Sequence, residues 1–141
     1  MRGVIVEGFH VFAEEVVRAG IRRSQDAYAN GDLREKLARY HGSNVDCAFH
    51  GWAETWLQPA MKDYTIAPLL PKIEAPVLAI LGTQDPYGTI GQIDCLPGLV
   101  RAPLEIHKPD CGHAPHEELE AEMLDLMAGF VARLQAPAQS P

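Results

Sequence analysis

The chain has 141 residues, enough for one domain, and a net charge of −7 at pH 7. Apolar residues make up 47% of it and charged residues 22%, as in an ordinary globular protein. The negative charge argues against a nucleic acid or an anionic membrane as partner, and no apolar run is long enough to span a bilayer. The cysteines are widely spaced without a CxxC pair, and the N-terminus lacks a signal-peptide pattern. Both features predict a cytoplasmic protein.

The first elements along the chain predict a buried strand followed by helices. Residues 3–7 are a β-branched run, which is typical of a short strand covered on both faces. A long helical region follows over residues 11–57. Two breaks divide this region, and its later helices are predicted over residues 33–40, with Asp32 as the N-cap, and over residues 45–57.

An aromatic stripe marks the last of these helices. Phe49, Trp52 and Trp56 are three to four residues apart and therefore share one face. Packing in a hydrophobic core is the ordinary explanation of such a stripe. The alternative is that Trp52 and Trp56 bind substrate in an apolar pocket, with Tyr87 of a later loop at its border.

The second half of the chain predicts two further strands. Residues 76–82 are apolar throughout, as expected of a central strand, whereas residues 103–107 alternate and suit a sheet edge. Helical segments are predicted over residues 67–73, 89–96 and 115–134. Residues 136–141 are rich in Pro and Ala and predict a flexible tail.

These elements favour an α/β domain with about three parallel strands, because strands that alternate with helices join through right-handed crossovers. In such sheets ligands bind beyond the carboxyl ends of the strands. The polar and thiol residues that follow the three predicted strands are Glu7 and His10, then Asp85, and finally Asp110, Cys111 and His113. We therefore expect these side chains to gather at one edge of the sheet.

Two of the strand ends carry motifs that resemble the last third of the α/β-hydrolases. They are Leu81-Gly82-Thr83-Gln84-Asp85 and Asp110-Cys111-Gly112-His113. The resemblance extends over nearly all of residues 1–135, interpreted as a single domain, and residues 12–71 are similar to the helical cap of that family. It implies a truncated α/β-hydrolase fold in which Asp85 and His113 are the catalytic acid and histidine.

The nucleophilic serine of the family is missing from the pattern. In the family it lies in a Gly-x-Ser-x-Gly elbow, upstream of the strand that residues 3–7 resemble. The serines of this sequence, Ser24, Ser43 and Ser140, do not stand in such a context. A conventional acyl-enzyme mechanism is therefore not expected of this chain alone.

The first functional hypothesis is a hydrolase of activated esters or phosphoesters that works without the serine. His113, oriented by Asp85, would act as general base on water. In a second form of this hypothesis, His10, Glu7, Asp85 and His113 hold a divalent metal such as zinc, which activates the water. Cys111 as a nucleophile and His116 as a further metal ligand are weaker alternatives.

Two other functions are compatible with the sequence. The chain is either a non-catalytic dimeric remnant that binds a small apolar ligand, or one half of a split α/β-hydrolase whose serine lies on a partner polypeptide. The first strand matters in each hypothesis, because its outer edge would be unpaired. Pairing of this edge with a second copy predicts a homodimer with a continuous sheet.

Overall fold

The computed structural model describes residues 1–135. The strands are β1 (Val4–Glu7), β2 (Val77–Ile80) and β3 (Leu104–His107). The α-helices are α1 (Glu15–Asn30), α2 (Leu33–His41), α3 (Val45–Leu57), α4 (Gly91–Asp94), α5 (Leu96–Leu99), α6 (Pro115–Glu118) and α7 (Glu120–Gln135). Short 3₁₀ helices cover Gly42–Asn44, Pro59–Asp63 and Ala67–Lys72. The predicted flexible tail, residues 136–141, lies outside the described residues.

The strands form one parallel sheet in the order β1-β2-β3. Val77 of β2 is in register with Val4 of β1 on one side and with Leu104 of β3 on the other. Every residue of β2 is buried, because helices or loops cover both faces of the central strand. The predicted α/β class with three parallel strands is thus confirmed, and β3 takes the predicted edge position.

The outer side of β1 has no strand partner within the described part of the chain. The amides of Val4 and Gly8 donate to the carbonyls of Pro76 and Ile80 at 2.8 and 3.2 Å. Alternate residues of a parallel strand bond to opposite sides, so the backbone groups of Ile5 face away from β2. The strand therefore presents a free edge.

Helices α1, α2 and α3 form a helical layer, residues 15–57, between β1 and β2 in the sequence. The layer has a hydrophobic core of its own, formed by Val17, Ile21, Tyr28, Val45, Phe49 and Ala53. An antiparallel bridge between Phe12 and Thr65 joins the chain entering the layer to the chain leaving it. Residues 12–71, likened above to a helical cap, contain this layer, the first two 3₁₀ helices and all but the last residue of the third.

The two faces of the sheet are covered by different helices. On one face Leu78 and Ile80 of β2 pack against Met123 and Phe130 of α7. On the other face, residues of β2 pack with the region of α4 and α5 in a second cluster that includes Ile93. No helix within residues 1–135 is long and apolar enough to cross a lipid bilayer.

Three helical details differ from the predictions. The carboxylate of Asp32 makes no capping hydrogen bond and pairs instead with Lys36 Nζ at 2.9 Å, one turn along α2. The helix predicted over residues 89–96 is divided into α4 and α5, because Pro97 has no N–H to continue the first turn. The C-terminal helix is divided at Leu119, whose φ of −131° is far from helical values.

Candidate active site

The loops that follow β2 and β3 are joined to each other by hydrogen bonds. The amides of Thr83 and Gln84 donate to the carbonyls of Pro109 and Cys111, both at 2.9 Å. The side chains of Thr83 and Gln84 also donate to one carboxylate oxygen of Asp110, at 3.0 and 2.7 Å. These bonds hold the acid-bearing loop against the histidine-bearing loop.

Asp85 and His113 form a hydrogen-bonded pair at this junction. His113 Nδ1 lies 2.8 Å from Asp85 Oδ2, and the other carboxylate oxygen accepts a bond of 2.7 Å from the amide of Tyr87. The Asp85 side chain is 1% exposed, whereas that of His113 is 42% exposed. An ionised carboxylate only accepts hydrogen bonds, so Nδ1 carries the proton and Nε2 keeps a free lone pair.

The pair shifts the pKa of both partners. Burial alone would raise the pKa of Asp85, but the hydrogen bonds from His113 and from the Tyr87 amide outweigh it and hold that pKa below its ordinary value. The hydrogen bond to Asp85 raises the pKa of His113, although burial opposes the shift. The arrangement is an ion pair at low pH and a hydrogen-bonded neutral imidazole at higher pH.

Two glutamates fix the histidine-bearing loop from outside. The Glu118 carboxylate accepts bonds from the amides of Gly112 and Ala114, at 2.9 and 3.4 Å. Glu7, at the end of β1, accepts from the amide of His116 at 2.8 Å and lies 3.1 Å from the Nδ1 of the same residue. Glu7 is thus engaged with His116 and supports the loop.

His113 lines a cavity of about 250 Å³, here called the histidine cavity. Its walls are His10, Val17, Ile21, Trp52, Trp56, Tyr87 and His113. Arg18 fixes the end of α3 that carries Trp56, since its guanidinium donates to the carbonyls of Trp56 and Leu57 at 3.0 and 2.9 Å. The helical layer therefore supplies most of the wall, and the strand-end loops supply Tyr87 and His113.

A second cavity of about 340 Å³ lies within the helical layer and is here called the apolar cavity. It is lined by Ser24, Leu33, Leu37, His41, Ala48, Phe49, Trp52 and Tyr87. Trp52 and Tyr87 line both cavities and stand between them. The Tyr87 ring lies 4.9 Å from the His113 ring, and its hydroxyl lies 2.8 Å from Ser24 Oγ.

The predicted metal ligands are only partly brought together. Asp85 and His113 are in contact, and His10 lines the same cavity, but Glu7 is bound to His116. Within residues 1–135, no group of three or more His, Cys, Asp or Glu side chains is arranged as a metal site. The zinc site is therefore not supported by the geometry and stays a prediction.

Cys111, Ser24 and Ser43 do not have the surroundings of an activated nucleophile. Burial raises the pKa of the Cys111 thiol, so the thiol is protonated at neutral pH. The Ser24 hydroxyl is bonded to Tyr87 in the apolar cavity, and Ser43 lies in an exposed 3₁₀ helix. Ser140 lies outside the described residues.

The sequence offered no signal for one cluster beside the site, formed by Glu14, Thr89 and Gln92. Gln92 is fully buried, accepts a bond of 2.7 Å from the amide of Val11, and donates to Glu14 at 2.6 Å. The other carboxylate oxygen of Glu14 accepts from the Thr89 hydroxyl at 2.6 Å. This cluster joins the loop after Asp85 to the start of the helical layer. Its residues are far apart in sequence, so no local pattern reveals it.

The chain is similar to known proteins in its structure. No protein-family model and no curated protein sequence matches it. NosK from Streptomyces actuosus has a similar structure, with a TM-score of 0.72 at 13% identity over 96% of this chain and 60% of NosK. An esterase from Pyrococcus furiosus gives 0.61 at 12% identity, over 94% of this chain and 45% of the esterase. An α/β-hydrolase enzyme from a Medee basin deep-sea metagenome library gives 0.59 at 14% identity, over 96% and 58%.

At these identities the similarity establishes the fold. The chain spans about half to three fifths of the length of these structures. The parallel strands, the helical layer and the strand-end loops with Asp85 and His113 are the features that the sequence motifs had implied. The chain has the fold of part of an α/β-hydrolase, and its loops after β2 and β3 carry Asp85 and His113.

Proposed function

We propose that the histidine cavity hydrolyses activated carboxylic esters, with His113 as general base and Asp85 as the residue that orients it. The observation that carries this proposal is the 2.8 Å bond between His113 Nδ1 and a buried carboxylate, next to a cavity that the His113 ring lines. Such a bond fixes the imidazole tautomer and leaves Nε2 free to take a proton. The remaining step is proton removal from a water molecule in the cavity, a contribution of roughly 10²–10⁴-fold to the rate.

The cavity walls favour carboxylic esters over phosphoesters. The residues that line the histidine cavity include neither lysine nor arginine, and most of them are apolar or aromatic. A phosphoester needs cationic partners for its charged oxygens, whereas a carboxylic ester is neutral. The chain as a whole also carries a net charge of −7, which repels anionic substrates.

The apolar cavity indicates which esters would fit the proposed site. An ester whose carbonyl lies near His113 would extend its hydrocarbon part past Trp52 and Tyr87 into the apolar cavity. Of the three similar structures described above, one is an esterase and one an α/β-hydrolase enzyme, which agrees with an ester-cleaving site in this fold. We therefore propose esters with an aliphatic or aromatic acyl group as the substrate class.

The test is hydrolysis of 4-nitrophenyl butyrate by the purified chain. Wild-type protein should release 4-nitrophenol with saturation kinetics, and His113→Ala should reduce the rate to that of the buffer. His50→Ala is the matched control, because His50 is an exposed histidine of α3 that pairs with Glu54 and lines neither cavity. Saturable binding of the ester without turnover would instead identify a binding protein and overturn the hydrolase proposal.

A second candidate function is that of one half of a two-part hydrolase. The free edge of β1 supports it, since the neighbouring structures continue beyond the length of this chain. A serine-bearing segment that adds strands to β1 would complete the sheet and bring a hydroxyl to His113 Nε2. Titration with a separately expressed elbow-containing half of an α/β-hydrolase should then create both ester hydrolysis and labelling by a fluorophosphonate. Hydrolysis by the chain alone, without such labelling, would favour the water mechanism.

A further inference from the structure

His10 is the second imidazole of the histidine cavity, and general-base hydrolysis by His113 leaves it without a role. Its Nδ1 is buried and has no hydrogen-bond partner within residues 1–135. In that part of the chain only Nδ1 of the two ring nitrogens is buried without a partner. The His10 ring lines the histidine cavity. The ring packs edge-on against Trp56, with centroids 5.2 Å apart. One nitrogen of His10 is therefore enclosed by protein, which leaves Nε2 as the nitrogen that can reach the cavity.

The surroundings of Nδ1 decide which nitrogen of the neutral ring carries the proton. A proton on Nδ1 would be a buried donor without an acceptor, and buried orphan N–H groups are rare in native proteins. A proton on Nε2 instead reaches water or a ligand in the cavity. Burial lowers the pKa of His10, and the nearby His113 lowers it further, so the ring is neutral at neutral pH. His10 thus presents an N–H donor to the cavity.

His113 presents the opposite group to the same cavity. Its Nδ1–H is bonded to Asp85, so its Nε2 is an acceptor. The hydroxyl of Tyr87, another polar group of the wall, is already paired with Ser24. His113 therefore offers the cavity a proton acceptor, and His10 offers it a neutral hydrogen-bond donor. Ester hydrolysis by water requires both groups.

We propose that His10 is a second catalytic residue, whose Nε2–H donates a hydrogen bond to the ester carbonyl oxygen and stabilises the charge that develops on it. The proposal rests on the hydrolase function given above. As the oxygen of water bonds to the carbonyl carbon, His113 Nε2 takes the proton of water and the carbonyl electron pair moves onto the oxygen held by His10. When the bond to the leaving oxygen breaks, His113 returns the proton to it. His10 keeps its proton throughout.

Kinetics of His10 variants test the catalytic part of this proposal. Loss of one donor to a developing oxyanion typically lowers kcat by roughly 10²–10³-fold. His10→Ala should show such a loss with KM changed only a few-fold, and His10→Gln, which keeps an N–H donor, should recover at least a tenth of the wild-type kcat. His50→Gln is the matched control. Equal kcat values for wild type and His10→Ala, with both proteins folded by circular dichroism, would overturn the proposal.

A second measurement is independent of turnover. Two-bond ¹H–¹⁵N correlation spectra of the imidazoles distinguish the tautomers, and His10 should be neutral with its proton on Nε2 at pH 7. Acetanilide, which resists hydrolysis but has a similar carbonyl, should shift the His10 Hε2 resonance downfield. A proton on Nδ1, or no shift on saturation with acetanilide, would overturn the proposal. Wild-type protein that shows the shift but does not hydrolyse esters would refute the proposed function and the catalytic role of His10, and would leave His10 as a hydrogen-bond donor to a bound carbonyl.

Discussion

Gly82 lies so close to Gly112 that a Cβ atom added to Gly82 would overlap the carbonyl oxygen of Gly112. The same atom would also collide with the carbonyl of Cys111. The two strand-end loops approach each other at this point, and the bond between Asp85 and His113 forms just beyond it. The contact explains physically why glycine stands at position 82 of the motif that carries Asp85.

Gly82→Ala should therefore lower both stability and activity. The added methyl group meets backbone atoms that cannot rotate away, so the loops must separate, at a cost of about 1–3 kcal/mol in the free energy of unfolding. Urea unfolding monitored by circular dichroism measures this change. Gly51→Ala is the control with the opposite sign, because Gly51 lies within α3 with open space around it and alanine favours a helix by about 0.5–1 kcal/mol. Equal stabilities of Gly82→Ala and wild type would contradict the proposed steric role.

The pH dependence of hydrolysis should follow the ionisation of His113. The base must be neutral to accept a proton, and the bond to Asp85 raises the pKa of His113. The value of kcat/KM should therefore rise with pH through an apparent pKa above that of an ordinary histidine. Asp85→Asn should move this apparent pKa down and lower kcat by roughly 10²–10⁴-fold. An unchanged pH profile in Asp85→Asn would show that another group controls the reaction.

The same bond makes stability depend on pH. Because the folded state raises the pKa of His113, this contribution is fully present below the pKa of unfolded histidine and is lost as the pH rises through the folded pKa. The difference in unfolding free energy between wild type and Asp85→Asn should thus be larger at pH 6 than at pH 9. Urea unfolding at both pH values provides the measurement for this pair of residues.

Trp52 should determine which acyl chains are accepted. It lines both cavities, so Trp52→Ala should widen the passage between them. The ratio of kcat/KM for 4-nitrophenyl octanoate to that for the acetate should rise by roughly tenfold, since extra methylene groups gain an apolar site. Trp52→Phe should keep most of the wild-type preference. Tyr40→Ala, which removes an aromatic ring that is 81% exposed, is the matched control. A similar change in Tyr40→Ala would attribute the effect to general loosening of the helical layer.

Gln92 should contribute to stability through its buried amide. It accepts from the amide of Val11 and donates to the carbonyl of Phe12 at 2.9 Å and to Glu14. Gln92→Met keeps the shape but leaves the Val11 amide and the Phe12 carbonyl without their side-chain partner, which costs about 3 kcal/mol of unfolding free energy. The expected loss is measured by urea unfolding, with Gln58→Met as the exposed control. A loss below about 0.5 kcal/mol would show that water replaces the amide.

The free edge of β1 should pair with a second copy of the chain. The backbone groups of Ile5 face away from β2, so two copies related by a two-fold axis extend the sheet through these strands. Sedimentation velocity at tens of micromolar should report a dimer, and Ile5→Pro, which removes an outward N–H, should report a monomer. Ile5→Val is the control that keeps the strand edge. A wild-type monomer would contradict the homodimer and leave the edge available to a serine-bearing segment.

Local patterns in the chain were enough to predict the three parallel strands, their order and the positions of Asp85 and His113. Apolar runs of strand length are local signals, and right-handed crossovers bring the carboxyl ends of parallel strands to one edge of the sheet. The bounds of α3 were also predictable, because its apolar spacing and the proline that follows it are local. These features depend on neighbours in the chain or on rules that hold for the whole fold class.

The contacts of the remaining side chains could be known only from the folded chain. The tertiary structure placed Glu7 against His116, enclosed Nδ1 of His10, and set Trp52 between two cavities. In the folded chain the Asp32 carboxylate also pairs with Lys36, whereas the sequence predicted that it caps a helix. Each of these contacts depends on the paths of the loops and on segments that are distant in sequence. No periodicity or motif in the sequence could therefore predict it. The physical reason is that a hydrogen-bond partner is chosen by distance in space, which only the packed chain defines.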